Sequence, residues 1–150
     1  MDALLSIKPN YAEAILSGAK TWEFRKKCFR EPPRRVYIYC STPTKKVVGS
    51  FDVGKIIFGS PYKIWRRCNG DGGISKKEFF NYSNGGSIVY AIKISRVKRF
   101  RVPIKLSSFG KNKPPISFYY LNTHNIKKKN FFCQFRELFS KLGFLGGGNG

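Results

Sequence analysis

The chain alternates short apolar runs with polar, glycine- or proline-marked breaks, and the period of each run predicts an element. Residues 3–7 are an apolar run of strand length. Pro9 interrupts it. Asn10 followed by Glu13 has the form of a reciprocal N-cap, predicting a helix over 11–17 that buries Ala12, Ile15 and Leu16 and stops at Gly18. Over 21–25, Trp22 and Phe24 alternate with Thr21, Glu23 and Arg25, the period of a strand with one polar face. Residues 35–40 and 47–58 read as further strands, the second bent near Gly49 or Gly54. Ser60 and Pro61 open a short helix through Trp65, and a glycine-rich loop covers 69–73. Ser75 with Glu78 is a capping box for a helix through about Tyr82, and a turn at 84–86 leads into a long strand over 87–100. Pro103, Pro114 and Pro115 keep the next stretch extended before a last strand at 116–121.

Past that strand the pattern changes. Residues 122–129 form a polar, basic linker ending in Lys127, Lys128 and Lys129. Residues 130–145 then show Phe131, Phe135, Leu138 and Leu142 at helical spacing, which predicts an amphipathic helix docked on the domain or on a second copy of the chain. Residues 146–150 are glycine-rich and expected to be disordered. Short strands with one early helix and two small inserted helices give an α+β class, a compact five- to six-stranded β-barrel over 1–121 with the first helix plugging one end.

Charge changes the picture most. Twenty-nine Lys and Arg against eight Asp and Glu leave a net charge of +21, which recruits polyanions through phosphate contacts and counterion release. The 41% hydrophobic and 16% aromatic content argues for a folded globule, not a basic tail. The basic residues are spread through a patterned globular sequence, which favours nucleic acid over an anionic membrane as partner. The four cysteines, Cys28, Cys40, Cys68 and Cys133, contain no CxxC pair, and His124 is the single histidine. Reduced thiols, no metal and no cofactor are therefore expected. No N-terminal run has signal-peptide form and no stretch approaches about 18 apolar residues, so the expectation is a soluble, cytoplasmic protein.

The chemistry concentrates in Gly18-Ala19-Lys20-Thr21-Trp22-Glu23-Phe24-Arg25, a GxKxxExR segment directly after a helix. The strand period puts Thr21, Glu23 and Arg25 on one face, with Lys20 at its start. A cation, a carboxylate and a planar guanidinium in one cleft can serve a phosphate, a base edge or one another. This segment resembles the motif of the ASCH family, within the wider PUA-like group. The resemblance continues through Leu4 to Pro9, Tyr39 to Pro43, Gly73 to Ser75, Tyr90 to Lys93 and Pro114 to Phe118.

The resemblance implies a nucleic-acid-binding module that prefers RNA, single-stranded or structured, over DNA. Lys8, Lys20, Glu23, Arg25, Lys26, Ser41, Arg66, Ser117 and Tyr119 are the candidate contacts. Trp22 is expected mostly in the core, whereas Trp65 is open to either a stacking or a packing role. The alternative is an enzyme using Lys20 and Glu23, a ribonuclease or a hydrolase of the N4-acetylcytidine amidohydrolase kind. Lys20 matches the lysine of those amidohydrolases. Their threonine corresponds to Glu23, and their glutamate has only a loose counterpart in Asp71. A third reading is an interaction protein working through the C-terminal helix.

Overall fold

The computed structural model describes residues 1–84 and 86–122. The expected helix and tail, with His124, Cys133 and all but the first residue of the linker, lie outside the described residues. Six strands make one sheet: β1 (Asp2–Ile7), β2 (Trp22–Arg25), β3 (Arg35–Cys40), β4 (Lys46–Gly59), β5 (Val89–Ile104) and β6 (Phe118–Leu121). Their order across the sheet is β2-β5-β4-β3-β1-β6; β1 and β3 run parallel and every other neighbouring pair is antiparallel. The sheet curls into the expected barrel-like α+β fold, with β2 and β6 as its two ends.

Three helices pack on this sheet: α1 (Pro9–Leu16), α2 (Pro61–Cys68) and α3 (Lys76–Ser83). Ala12 and Ile15 of α1 are buried among Leu5, Ile7, Val36, Ile38, Phe51 and Ile92, as expected of the plugging helix, whereas Leu16, also expected in the core, is only half-buried. α2 and α3 cover a second cluster, in which Trp22 and Phe24 meet Ile64, Cys68 and Phe79. A third cluster joins Leu4, Tyr39, Val47, Phe109 and Leu121 behind β1.

Several boundaries differ from expectation for identifiable reasons. Asn10 is not the cap of α1. Lys8 occupies that position in extended conformation without a side-chain cap, because Pro9 is already pre-set for the first helical turn. α2 runs on to Cys68, where Asn69 adopts a left-handed φ of 50° and ends it. The Ser60 cap and the Ser75–Glu78 capping box both form. β5 continues through Pro103, since β2 covers only Tyr90 to Lys93 and the far half of β5 is an edge where a missing N–H costs no ladder bond. β6 starts at Phe118, leaving Ile116 fully exposed. Register shifts bracket both Gly49 and Gly54, so β4 bends at both expected points.

Candidate functional site

The seam between β2 and β6 is bridged by a side chain. Arg25 donates to the Ser117 carbonyl at 3.0 Å and hydroxyl at 3.1 Å, just before β6, and reaches the Ser6 carbonyl of β1 at 3.5 Å. Beside it, Glu23 lies 3.6 Å from Arg25 and 3.5 Å from the Lys20 ammonium. These three charged groups look into one cavity of about 460 Å³, lined also by the aromatic rings of Tyr11, Phe24 and Tyr82. Its walls are Ser6 and Ile7 of β1, Lys8 and Tyr11 at the start of α1, the polar face of β2 with the Phe24 ring, and Glu78, Asn81 and Tyr82 of α3.

Lys20 is the most constrained member. It is 3% exposed, with its ammonium donating to the Gly72 carbonyl and lying 5.3 and 5.2 Å from the ring centres of Tyr11 and Phe24. Its backbone N–H bonds Ala14, and the next residue is clamped between Asp71 and Ile94, so the start of β2 is tied to α1, the glycine loop and β5 together. The glycine loop needs its composition here. A Cβ at Gly72 would run into the Phe24 ring, and one at Gly73, where φ is +61°, would stand 2.8 Å from the Lys20 Cβ. Burial pulls the Lys20 pKa below its ordinary value, and the Glu23 charge opposes that pull. Burial raises the Tyr11 hydroxyl, helped by the charges of Glu78 and Glu23, and it raises Tyr82 against the opposing field of Arg25. The cavity thus offers a buried donor, a carboxylate acceptor, two phenols held in their neutral form and the face of Phe24. That set suits a planar polar ligand.

Of the residues singled out from sequence, Lys8, Lys20, Glu23 and Arg25 line this cavity. Lys26 stands at its edge over the Tyr82 ring at 5.2 Å, and Ser117 lies behind Arg25 as its acceptor. Ser41, Arg66 and Tyr119 do not line it. Ser41 is in the turn after β3, accepting from Thr44; Tyr119 bonds the Pro114 carbonyl under Lys111; Arg66 is on the outer face of α2. Thr21 departs from the expected shared face as well: its hydroxyl donates to the Asp71 carbonyl and accepts from Lys93. Trp22 is buried, and Trp65 packs 5.2 Å from Phe79. Sequence reasoning missed Tyr11, Asn81 and Tyr82. The signal for the last two was present, because positions 78, 81 and 82 share one face of a capped helix.

Among the described residues, no three His, Cys, Asp or Glu side chains come together, and no helix is long and apolar enough to cross a membrane. Cys28, Cys40 and Cys68 are unpaired thiols; burial pushes Cys68 up to about 11.

Comparison with known proteins places this geometry. The family model described as the ASCH domain matches residues 5–128. An ASCH domain-containing ribonuclease of Zymomonas mobilis is 28% identical over 132 residues, covering 85% of this chain and 88% of that protein. The crystal structure of ASCH from Zymomonas mobilis superposes with a TM-score of 0.78 at 27% identity, covering 87% of this chain and 94% of that one. A segment of ATP synthase subunit alpha of Ureaplasma parvum is 36% identical over 119 residues, which is 79% of this chain; the chain spans only 15% of that relative's length.

Proposed function

The chain belongs to the ASCH domain family, and from that premise we propose that it binds nucleic acid, RNA in preference to DNA, by taking a nucleotide into the cavity around Lys20, Glu23 and Arg25. The observation that carries this reading is the convergence of those three side chains on one aromatic-walled cavity in a chain of net charge +21. In this reading Glu23 accepts from an exocyclic amino group and Lys20 donates to a base oxygen. Tyr11, Phe24 and Tyr82 supply ring faces for the base, with Lys8 and Lys26 holding phosphate at the mouth. Arg25 orients Glu23 while it holds the seam. Unpaired thiols fit a cytoplasmic setting for this activity.

Fluorescence anisotropy with a short single-stranded RNA and its DNA counterpart tests the proposal. Affinity should fall steeply between about 50 and 200 mM salt, as several phosphates are neutralised. Glu23→Gln should weaken RNA binding about tenfold, the scale of one lost polar base contact. Absence of binding even at low salt would defeat the reading. Equal affinity for DNA would remove only the RNA preference.

One observation favours a second reading, RNA cleavage. Lys20 is buried with a lowered pKa beside a carboxylate, the setting in which such a pair transfers protons, and a relative is named a ribonuclease. The amidohydrolase version is less well supported: Glu23 stands where those enzymes carry their threonine, and Thr21, which could substitute only by reaching the cleft, has its hydroxyl bonded to the Asp71 carbonyl and to Lys93. Cleavage of labelled RNA that Lys20→Met abolishes while binding persists would establish the enzyme.

A further inference from the structure

A second place in the molecule gathers aromatic rings and cations, on the side of α2 that faces away from the core. Phe58, at the end of β4, and Tyr62, in the first turn of α2, are 66% and 61% exposed. With Lys63, Arg66 and Arg67 they wall an open depression of about 440 Å³ that shares no residue with the cavity. The helix accounts for the segregation. Ile64 and Cys68, four apart, are buried against the sheet and α3, which turns positions 62, 63, 66 and 67 outward.

The rings are held in place. Phe58 lies 5.9 Å from the ring of Tyr90, and the Arg66 guanidinium is 5.8 Å from the centre of the Tyr62 ring. None of the three cations joins an ion pair among the described residues. Most described carboxylates are engaged elsewhere: Glu13 with Arg99, Glu23 in the cavity, Asp52 with Arg35 and Arg96, and Glu78 in its cap. Two exposed rings beside three uncompensated cations match a ligand with flat apolar faces and a regular negative backbone. Duplexes hide their base faces, so the match is to a single strand.

We propose that the end of β4 and the outer face of α2 form a second contact surface for single-stranded nucleic acid. Bases stack on Phe58 and Tyr62, and Lys63, Arg66 and Arg67 take the phosphates. The surface is indifferent to base identity and to the sugar, unlike the cavity. It shares with the cavity proposal only the premise that the chain meets single strands, and it requires nothing of Lys20 or Glu23.

The test is anisotropy on the full chain with a twelve-nucleotide RNA of alternating cytidine and adenosine, its DNA counterpart and an abasic strand of equal length. Phe58→Ala and Tyr62→Ala should each weaken binding to the RNA and DNA strands about 5- to 100-fold, and Tyr62→Phe should retain it. The abasic strand should bind weakly and equally to wild type and all three variants. Both substituted side chains are more than half exposed, so melting temperatures should match wild type. Unchanged affinity of both alanine variants would overturn the proposal. So would equal losses on the abasic strand, or loss of binding to phosphatidylserine vesicles with RNA binding intact. Loss in the Phe58→Ala and Tyr62→Ala variants with Glu23→Gln unaffected would leave this surface standing and defeat the cavity reading; the reverse pattern would do the opposite.

Discussion

Two carboxylates in this molecule each stand between two cations and are similarly buried, but the cations beside them are not. Asp52 on β4 meets Arg35 at 3.0 Å and Arg96 at 2.9 Å, with those arginine side chains 34% and 81% exposed. Glu23 on β2 meets Lys20 at 3.5 Å and Arg25 at 3.6 Å, with partners 3% and 16% exposed. The trio with exposed arginines makes hydrogen bonds of ordinary length, and the trio with buried cations makes the looser contacts. Contacts of 3.5–3.6 Å lie beyond good N–H···O geometry. Glu23 is therefore compensated in charge without being saturated as an acceptor, and it keeps lone pairs for a ligand. Asp52 has spent its oxygens on holding β3, β4 and β5 together. One carboxylate between two cations yields a structural clasp in one place and a receptive group in the other.

The comparison can be broken at its centre. Glu23→Ala leaves the Lys20 ammonium buried with only the Gly72 carbonyl, so it should cost about 3 kcal/mol. Asp52→Ala, with exposed partners that water can resolvate, should cost about 1 kcal/mol. Urea denaturation of the two variants measures both. Equal losses would show that burial does not separate the trios.

The outer cations sharpen the contrast. Arg25→Ala removes the bonds to Ser117 and Ser6 that bridge the seam, at about 2 kcal/mol for charge-assisted bonds. Arg96→Ala should fall within about 0.5 kcal/mol, the range of surface substitutions. The same denaturation series reads both, and a cost at Arg96 matching that at Arg25 would contradict the assignment.

The smallest effect concerns pH. Burial lowers the Lys20 pKa below its ordinary 10.5. Below the lowered value both folded and unfolded chains hold the proton, and the fold bears the full cost of the buried ammonium. Between the lowered and the unfolded values only the unfolded chain holds it, so stability rises with pH across that window. Wild type should therefore gain stability relative to Lys20→Met as pH climbs toward 10.5. The raised pKa values of Tyr11, Tyr82 and Cys68 act in the opposite direction in both proteins and largely cancel in the difference. A difference that shrinks or stays flat over that range would remove the desolvation argument.

What was legible in the sequence was local. Strand period placed Glu23 and Arg25 together and turned Trp22 inward, and the Ser75–Glu78 spacing carried α3 to the right residues. Competing local signals produced the error at α1, where Pro9 won over Asn10. The non-local part was hidden. Nothing near Arg25 in the chain announces Ser117 as its partner, because that contact depends on the strand order. The Asp52 clasp depends on β4–β5 register shifts that bring Arg96, at a φ of 44°, across from it. Thr21 was misplaced because the strand ladder begins one residue later, after its hydroxyl is drawn to the glycine loop.

The place of β1 in the sheet has a consequence for how the chain reaches this state. β1 is synthesised before the other five strands of this sheet, yet it lies in the interior of the sheet, flanked by β3 on one side and β6 on the other. Asp2 is opposite Leu121, so the last ladder joins residues from near the two ends of the described chain. Contacts of that sequence separation raise the contact order and slow folding, because the loop must close before the pairing rewards it. During vectorial synthesis β1 can dock on β3 early, but its other edge waits, apolar and unpaired, until β6 emerges from the ribosome. Nascent chains halted before Phe118 therefore present a hydrophobic template edge, and that interval is when chaperone capture or strand exchange between neighbouring chains competes with folding.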